Sequence, residues 1–321
     1  MNISEKNIKI WSLIGPRATF GVAALELAKE IDNLIILTCD VSTSAGLDRY
    51  RKTYPEKYLD IGIAEQNMIG IAAGLSSEGF NIITTTFAPF QVMRCCEQIK
   101  VNAGYMKQKI CMVGLASGLV LGTLGFTHAC IEDIGVLRSI PNIDIVSPAD
   151  SLETVKAIQS AINSNKSTYI RLTGSSNNPI VYNSDYDFKI GKSVELLSGK
   201  DITIFSSGAS VYRCVQAAKL LEQNKISCSV INMHTIKPID KEKIEKEAEE
   251  KKFLFSVEEH NVIGGLGSAI SEHLVTLKKK PDLTIMGIND VYGKGGTYEY
   301  LLEKHGLSTN RIVSKILEKI N

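Results

Sequence analysis

Short runs of β-branched and aliphatic residues alternate with helix-length stretches along most of the chain. This alternation constrains the fold more than any other feature. Candidate strands lie at residues 34–37, 82–86, 110–115, 143–147 and 169–172, separated by helical stretches near 18–30, 65–77, 90–104, 131–139 and 151–163. Strands separated by helices cannot be joined by hairpins, so the pattern predicts a mostly parallel sheet with helices on both faces. The segment Gly174-Ser-Ser-Asn-Asn-Pro179 interrupts it, and polar, irregular sequence follows to about Lys189, as expected of a linker. The alternation then restarts, with strands at 202–206, 227–231, 253–257 and 283–288, a helix capped within Ser207-Gly-Ala-Ser210 and running to about Gln223, a helix entered through Gly264-Gly-Leu-Gly267, and two C-terminal helices. The expected architecture is α/β: two doubly wound domains, at residues 1–180 and 190–321, which the length of 321 residues accommodates.

Charge and composition exclude several classes of function. The formal net charge is +1, which leaves no electrostatic footprint for nucleic acid or an anionic membrane. Seven scattered cysteines form no C-x-x-C pair and fit a reducing compartment better than a disulfide framework. The start, Met1-Asn-Ile-Ser-Glu-Lys, lacks the basic-then-apolar order of a signal peptide. A cytoplasmic location, with no nucleic acid and no membrane, is expected. Residues 110–131 carry no formal charge, but four glycines and His128 interrupt them, so they read as a buried strand and a Gly-rich loop rather than a membrane helix. The mixed-sign run 241–252 reads as a solvated helix face.

Three segments can carry chemistry. In Tyr58-Leu-Asp-Ile-Gly-Ile-Ala-Glu65-Gln-Asn-Met68, a carboxylate stands where a strand gives way to a helix, the place where open α/β sheets bind ligands. Apolar neighbours would desolvate Glu65, raise its pKa and suit it to share a proton with a ligand nitrogen; it could equally cap the helix. Phe87 and Phe90, three residues apart beside Pro89, form either a platform for a flat heterocycle or part of the core. His128 follows a run of glycines and is either a hydrogen-bond donor to a substrate oxygen or a structural histidine. The Gly264 run lacks G-x-G-x-x-G spacing, and the chain has no P-loop, G-x-S-x-G elbow or H-E-x-x-H motif. His234 and His260 are placed in turns of the second domain and given no catalytic role.

Taken together, these segments resemble the C-terminal half of the transketolase family of thiamine diphosphate enzymes. The resemblance rests on Asp60-Ile-Gly-Ile-Ala-Glu65, Thr86-Phe-Ala-Pro-Phe90 with Arg94, Gly125-Phe-Thr-His128 with Glu132-Asp133, Ser147-Pro-Ala-Asp150, Tyr169-Ile-Arg171, His234-Thr-Ile-Lys-Pro-Ile-Asp240, Glu258-Glu-His260, Gly264-Gly-Leu-Gly-Ser268 and Asp290-Val-Tyr-Gly-Lys-Gly296. It implies a pyrimidine-binding domain followed by the family's C-terminal domain. By it, Glu65 bonds N1′ of the cofactor's aminopyrimidine and favours the tautomer that can take the thiazolium proton; the cofactor then carries the carbanion chemistry. Phe87 and Phe90 match ring-holding positions, His128 matches a histidine facing substrate oxygens, and Asp40 resembles a loop acid near the cofactor. Arg94 and Arg171 are candidate substrate contacts. The family's G-D-G…N motif for metal and diphosphate is absent. The resemblance therefore implies the smaller chain of a split transketolase, in an α2β2 heterotetramer with a separate diphosphate-binding subunit that supplies the ligands of Mg2+ or Ca2+. Its substrates would be small-molecule sugars, and the chain alone would be inactive.

Two positions depart from the family pattern. The acidic pair usual before the histidine is replaced by Thr123 and Leu124, and Leu124 cannot accept a hydrogen bond. A second arginine used for sugar phosphate is replaced by Gly174. Both changes suggest a non-standard sugar. Two other readings are the β subunit of a 2-oxoacid dehydrogenase E1 component and a non-catalytic subunit derived from the fold.

Overall fold

The computed structural model describes residues 1–320. The first half runs through α1 (Glu5–Glu30), β1 (Leu34–Thr38), α2 (Asp48–Thr53), β2 (Tyr58–Asp60), α3 (Glu65–Ser77), β3 (Asn81–Phe87), α4 (Ala88–Val92), α5 (Cys96–Ile99), β4 (Ile110–Leu115), α6 (Asp133–Arg138), β5 (Ile143–Val146), α7 (Ser151–Asn163) and β6 (Ser167–Arg171). The second half supplies β7 (Val194–Leu197), β8 (Ile202–Ser206), α8 (Ser210–Gln223), β9 (Cys228–Asn232), β10 (Thr235–Lys237), α9 (Lys241–Glu250), β11 (Phe253–Asn261), α10 (Leu266–Leu274), β12 (Asp282–Ile288), α11 (Tyr298–Lys304) and α12 (Thr309–Ile320).

Two sheets result, ordered β10-β5-β6-β4-β3-β1-β2 and β12-β11-β8-β9-β7. β1 to β6 pair in parallel, and β10 is added antiparallel to β5. In the second sheet β7 alone is antiparallel. Parallel strands need helical crossovers, which bury both sheet faces. On one face, Ile36, Ile83 and Val113 pack with Phe20, Tyr50, Leu152, Val155 and Ile158. On the other, Ile82 and Met112 pack with Met68, Ile69 and Leu137, as the period of two along a strand requires. That second cluster continues through Ile236 into Phe205, Ile231, Leu254 and Ile270, so the two halves share apolar core. No helix among the described residues is long and apolar enough to cross a membrane.

The structure departs from the sequence pattern at three places. α1 begins at Glu5 rather than near residue 18, and continues through a kink at Gly15 (φ 80°) and Pro16, a pair that reads as a helix stop. The helix expected over 90–104 is broken, because the Arg94 N–H reaches back five residues to the Pro89 carbonyl (3.3 Å) and widens the turn. His260 lies within β11 rather than in a turn, whereas His234 lies in the connection between β9 and β10; both are buried.

The His234 ring stacks on Phe188 of the linker at 4.3 Å. Burial pushes its pKa down to about 3, against an opposing pull from Asp240. The unfolded chain binds this proton near pH 6.5 and the folded chain does not. Stability therefore falls with pH below 6.5, by about 1.4 kcal/mol per unit from this group. Urea unfolding at pH 7 and pH 5 is expected to show His234→Phe losing about 2 kcal/mol less than wild type over that interval. Equal losses would mean that His234 titrates normally in the fold.

Candidate active site

The parallel strands direct their C-terminal ends to one edge of the first sheet, and the candidate residues gather there. Asp40 follows β1, Glu65 opens α3 after β2, Phe87 ends β3 with Phe90 in the next turn, and His128 stands on the loop after β4. Asp60 shapes the approach: its Oδ1 accepts the backbone N–H groups of Asp40 and Gly62, each at 3.0 Å. Asp40 is exposed with φ 56°, and its side chain makes no hydrogen bond among the described residues.

Glu65 is 3% exposed, although its sequence neighbour Ile63 points outward at 76% exposure. Arg94 Nη1 donates to Glu65 Oε2 at 2.6 Å, and the guanidinium lies 4.2 Å from the Phe90 ring centre. The Gln66 side chain donates to the Arg94 carbonyl at 3.1 Å and anchors the widened turn to α3. Two thiols lie close by. Burial first, and the Glu65 charge with it, push Cys39 up to about 11 and Cys95 up to about 12, so neither is a thiolate at neutral pH.

Three rings complete the arrangement. Phe87 and Phe90 are edge-on at 6.4 Å, and His128 lies 5.4 Å from Phe90 and 6.3 Å from Phe87. All three are partly exposed. His128 Nδ1 shares a 3.0 Å hydrogen bond with the Thr127 hydroxyl. A buried carboxylate beside half-open aromatic rings suits a flat, nitrogen-bearing heterocycle, which the thiamine aminopyrimidine is. Glu65 can hold or share a proton at a ring nitrogen, and the rings can orient the plane. No cluster of three His, Cys, Asp or Glu side chains able to hold a metal occurs among the described residues.

Arg171 does not join this group. It is 2% exposed, and its Nε donates to both Asp133 oxygens at 2.8 and 3.0 Å. Its Nη2 donates to the carbonyls of Cys130 and Glu259 at 3.2 and 2.9 Å. Burial opposes its charge, but Asp133 outweighs burial and keeps the guanidinium charged. Buried, and with Nε and Nη2 bonded inside the fold, Arg171 ties the first sheet to β11 instead of facing solvent.

A recess of about 210 Å³ opens beside Gly174, lined also by Arg17, Thr43, Ser44 and Ser175. Burial lowers the Arg17 pKa, and no carboxylate among the described residues opposes that shift. Arg17 escaped the sequence reading because its signal, a basic residue after the Gly15-Pro16 helix break, acquires meaning only once α1 is seen to bend there.

Comparison with known proteins adds the family. The chain matches the models "Transketolase, pyrimidine binding domain" over residues 14–178 and "Transketolase, C-terminal domain" over residues 191–312. It is 36% identical to one of the subunits of the apulose-4-phosphate transketolase of Phocaeicola vulgatus, covering 96% of this chain and 98% of that one. It is 34% identical to the 6-deoxy-6-sulfo-D-fructose transketolase subunit of Clostridium sp. (strain MSTE9), covering 92% of each. A solved structure described as a split gene transketolase, inactive beta4 tetramer, superposes with TM-score 0.86 at 34% identity, covering 95% of this chain and 97% of that one.

Arg171→Met is expected to destabilise the fold by about 3–5 kcal/mol in urea unfolding, because Asp133 is left buried without its partner. Unchanged stability with weakened substrate binding would instead return Arg171 to the substrate site.

Proposed function

The chain belongs to the transketolase family, and we propose that it is the pyrimidine-binding subunit of a split transketolase, divided near residues 180–190 into pyrimidine-binding and C-terminal domains. It would transfer a two-carbon ketol unit from a ketose donor to an aldehyde acceptor. The observation that carries this reading is the buried Glu65 carboxylate, set against Arg94 and opening onto Phe87, Phe90 and His128. Thiamine diphosphate, the cofactor the family implies, supplies the nucleophilic carbon when bound. The chain's own residues have distinct parts. Glu65 holds the proton at the aminopyrimidine N1′, Phe87 and Phe90 orient the ring, and Asp40 stands near its edge. His128 donates to substrate oxygens, and Arg94, paired with Glu65 and 40% exposed, is a further candidate substrate contact.

Diphosphate and Mg2+ or Ca2+ are assigned to a separate subunit in an α2β2 assembly, because this chain lacks the G-D-G…N motif. Exposed apolar side chains next to the site, Ile63 at 76% and Met93 at 45%, support a covering partner. The description of a related tetramer of one chain type as inactive supports the same view. The relatives' sugars, apulose 4-phosphate and 6-deoxy-6-sulfo-D-fructose, favour a substrate outside the usual pentose phosphates. The Arg17 recess, beside the Gly174 position that the resemblance links to sugar phosphate, would receive the anionic end of such a sugar.

Two measurements test this reading. In the complex reconstituted with the diphosphate-binding subunit, Glu65→Gln is expected to lower turnover by about 10²–10⁴-fold, and the purified chain with cofactor and metal should not turn over. Full turnover in either case contradicts the proposal. Arg17→Ala should raise KM for a phosphorylated or sulfonated sugar about tenfold with kcat little changed, whereas an unchanged KM would place the anion elsewhere.

A further inference from the structure

We propose that Glu259, from the second half of the chain, is a positioning residue for the loop that carries His128. The proposal rests on the assignment of His128 to the substrate site. The loop leaves β4, and its base closes where Gly118 and Cys130 exchange backbone hydrogen bonds of 2.7 and 3.0 Å. Its interior is a single 3-10 turn at Gly122–Leu124, so it has little regular structure of its own to set its shape. Among the described residues, His128 makes no hydrogen bond to the second half. Its place opposite Phe87 and Phe90 depends on how the loop around it is held.

The second half grips that loop at three levels. At the base, Glu259 Oε1 accepts the Leu119 N–H at 2.8 Å. Gly118 has φ 72°, and a Cβ there would stand 2.3 Å from the same oxygen, so only glycine lets the carboxylate approach. Glu259 is itself fixed, its Oε2 accepting from the Tyr298 hydroxyl at 2.6 Å and from Arg213 Nη2 at 3.1 Å. In the middle, the Gly296 N–H donates to the Gly122 carbonyl at 3.0 Å. Leu301 fills the space a Cβ at Gly122 would need. At the tip, Phe126 packs on Tyr292 at 5.5 Å, and Tyr292 is itself fixed by its hydroxyl donating to Glu132 Oε1, just past the loop's base, at 2.6 Å.

These contacts have a common direction. Each loop group is held by a residue of β11, of α11 or of the segment just before α11. Glu259 is the one carboxylate among them, 2% exposed and hydrogen-bonded through both oxygens, which makes its geometry hard to vary. The second half thus sets where His128 stands without touching the cofactor site itself.

The test uses the reconstituted complex. Glu259→Ala is expected to speed backbone amide hydrogen exchange across residues 118–130 about tenfold and to lower kcat/KM by about tenfold or more, with cofactor affinity unchanged. Glu259→Gln keeps an oxygen for the Leu119 N–H and should recover most of both losses. Tyr292→Ala, at a 69% exposed side chain that folding does not require, should shift both readouts the same way by less. It keeps the test open should Glu259→Ala fail to fold. Unchanged exchange in the folded variants overturns the proposal, as does faster exchange with undiminished kcat/KM. His128→Ala separates the two claims: full activity there removes the role given to His128, whereas the exchange result judges the Glu259 contact alone.

Discussion

A carboxylate removed from water is tolerable only with a partner, and the Glu65–Arg94 pair meets that condition at the mouth of the first sheet. The pairing explains the local backbone. Arg94 reaches Glu65 because the turn after Pro89 is widened by one residue, and the Arg94 carbonyl is held by Gln66. The guanidinium then lies over Phe90, which ties the ring platform to the same charge pair. Carboxylate and rings are fixed together, so a heterocycle meeting one meets the other.

The rest of the molecule keeps this edge in place. α3 presents Glu65 because Met68, Ile69 and Ala72 bury its other face against the sheet. β10 extends the first sheet beyond β5, so the second half covers an edge that would otherwise be open. Arg171 crosses from β6 to Asp133 and to the β11 carbonyl, and the neighbouring Glu259 holds the Gly118 loop. Neighbouring groups on one strand thus serve the framework and the candidate site.

Much of this was legible in the sequence, for physical reasons. Strand–helix alternation reports burial on both faces, and the expected strands 82–86 and 110–115 lie within or coincide with β3 and β4. Glu65, Phe87, Phe90 and His128 could be singled out together because each lies at or beyond the C-terminal end of a strand, the edge where a parallel sheet offers a ligand site. Arg171 was misplaced because a basic residue at a strand end looks the same whether it faces ligand or a buried Asp133. The roles proposed for Arg17 and Glu259 were not legible because they depend on long-range contacts. One needs the α1 kink beside Gly174, and the other needs β11 to pass behind the Gly118 loop.

The central claim is that Glu65 governs the proton at the cofactor's aminopyrimidine. Hydrogen–deuterium exchange at the thiazolium C2 of bound thiamine diphosphate, in the reconstituted complex, tests it most directly. The account predicts that Glu65→Gln slows this exchange about a hundredfold or more while the cofactor still binds. Exchange at the wild-type rate in that variant would contradict it.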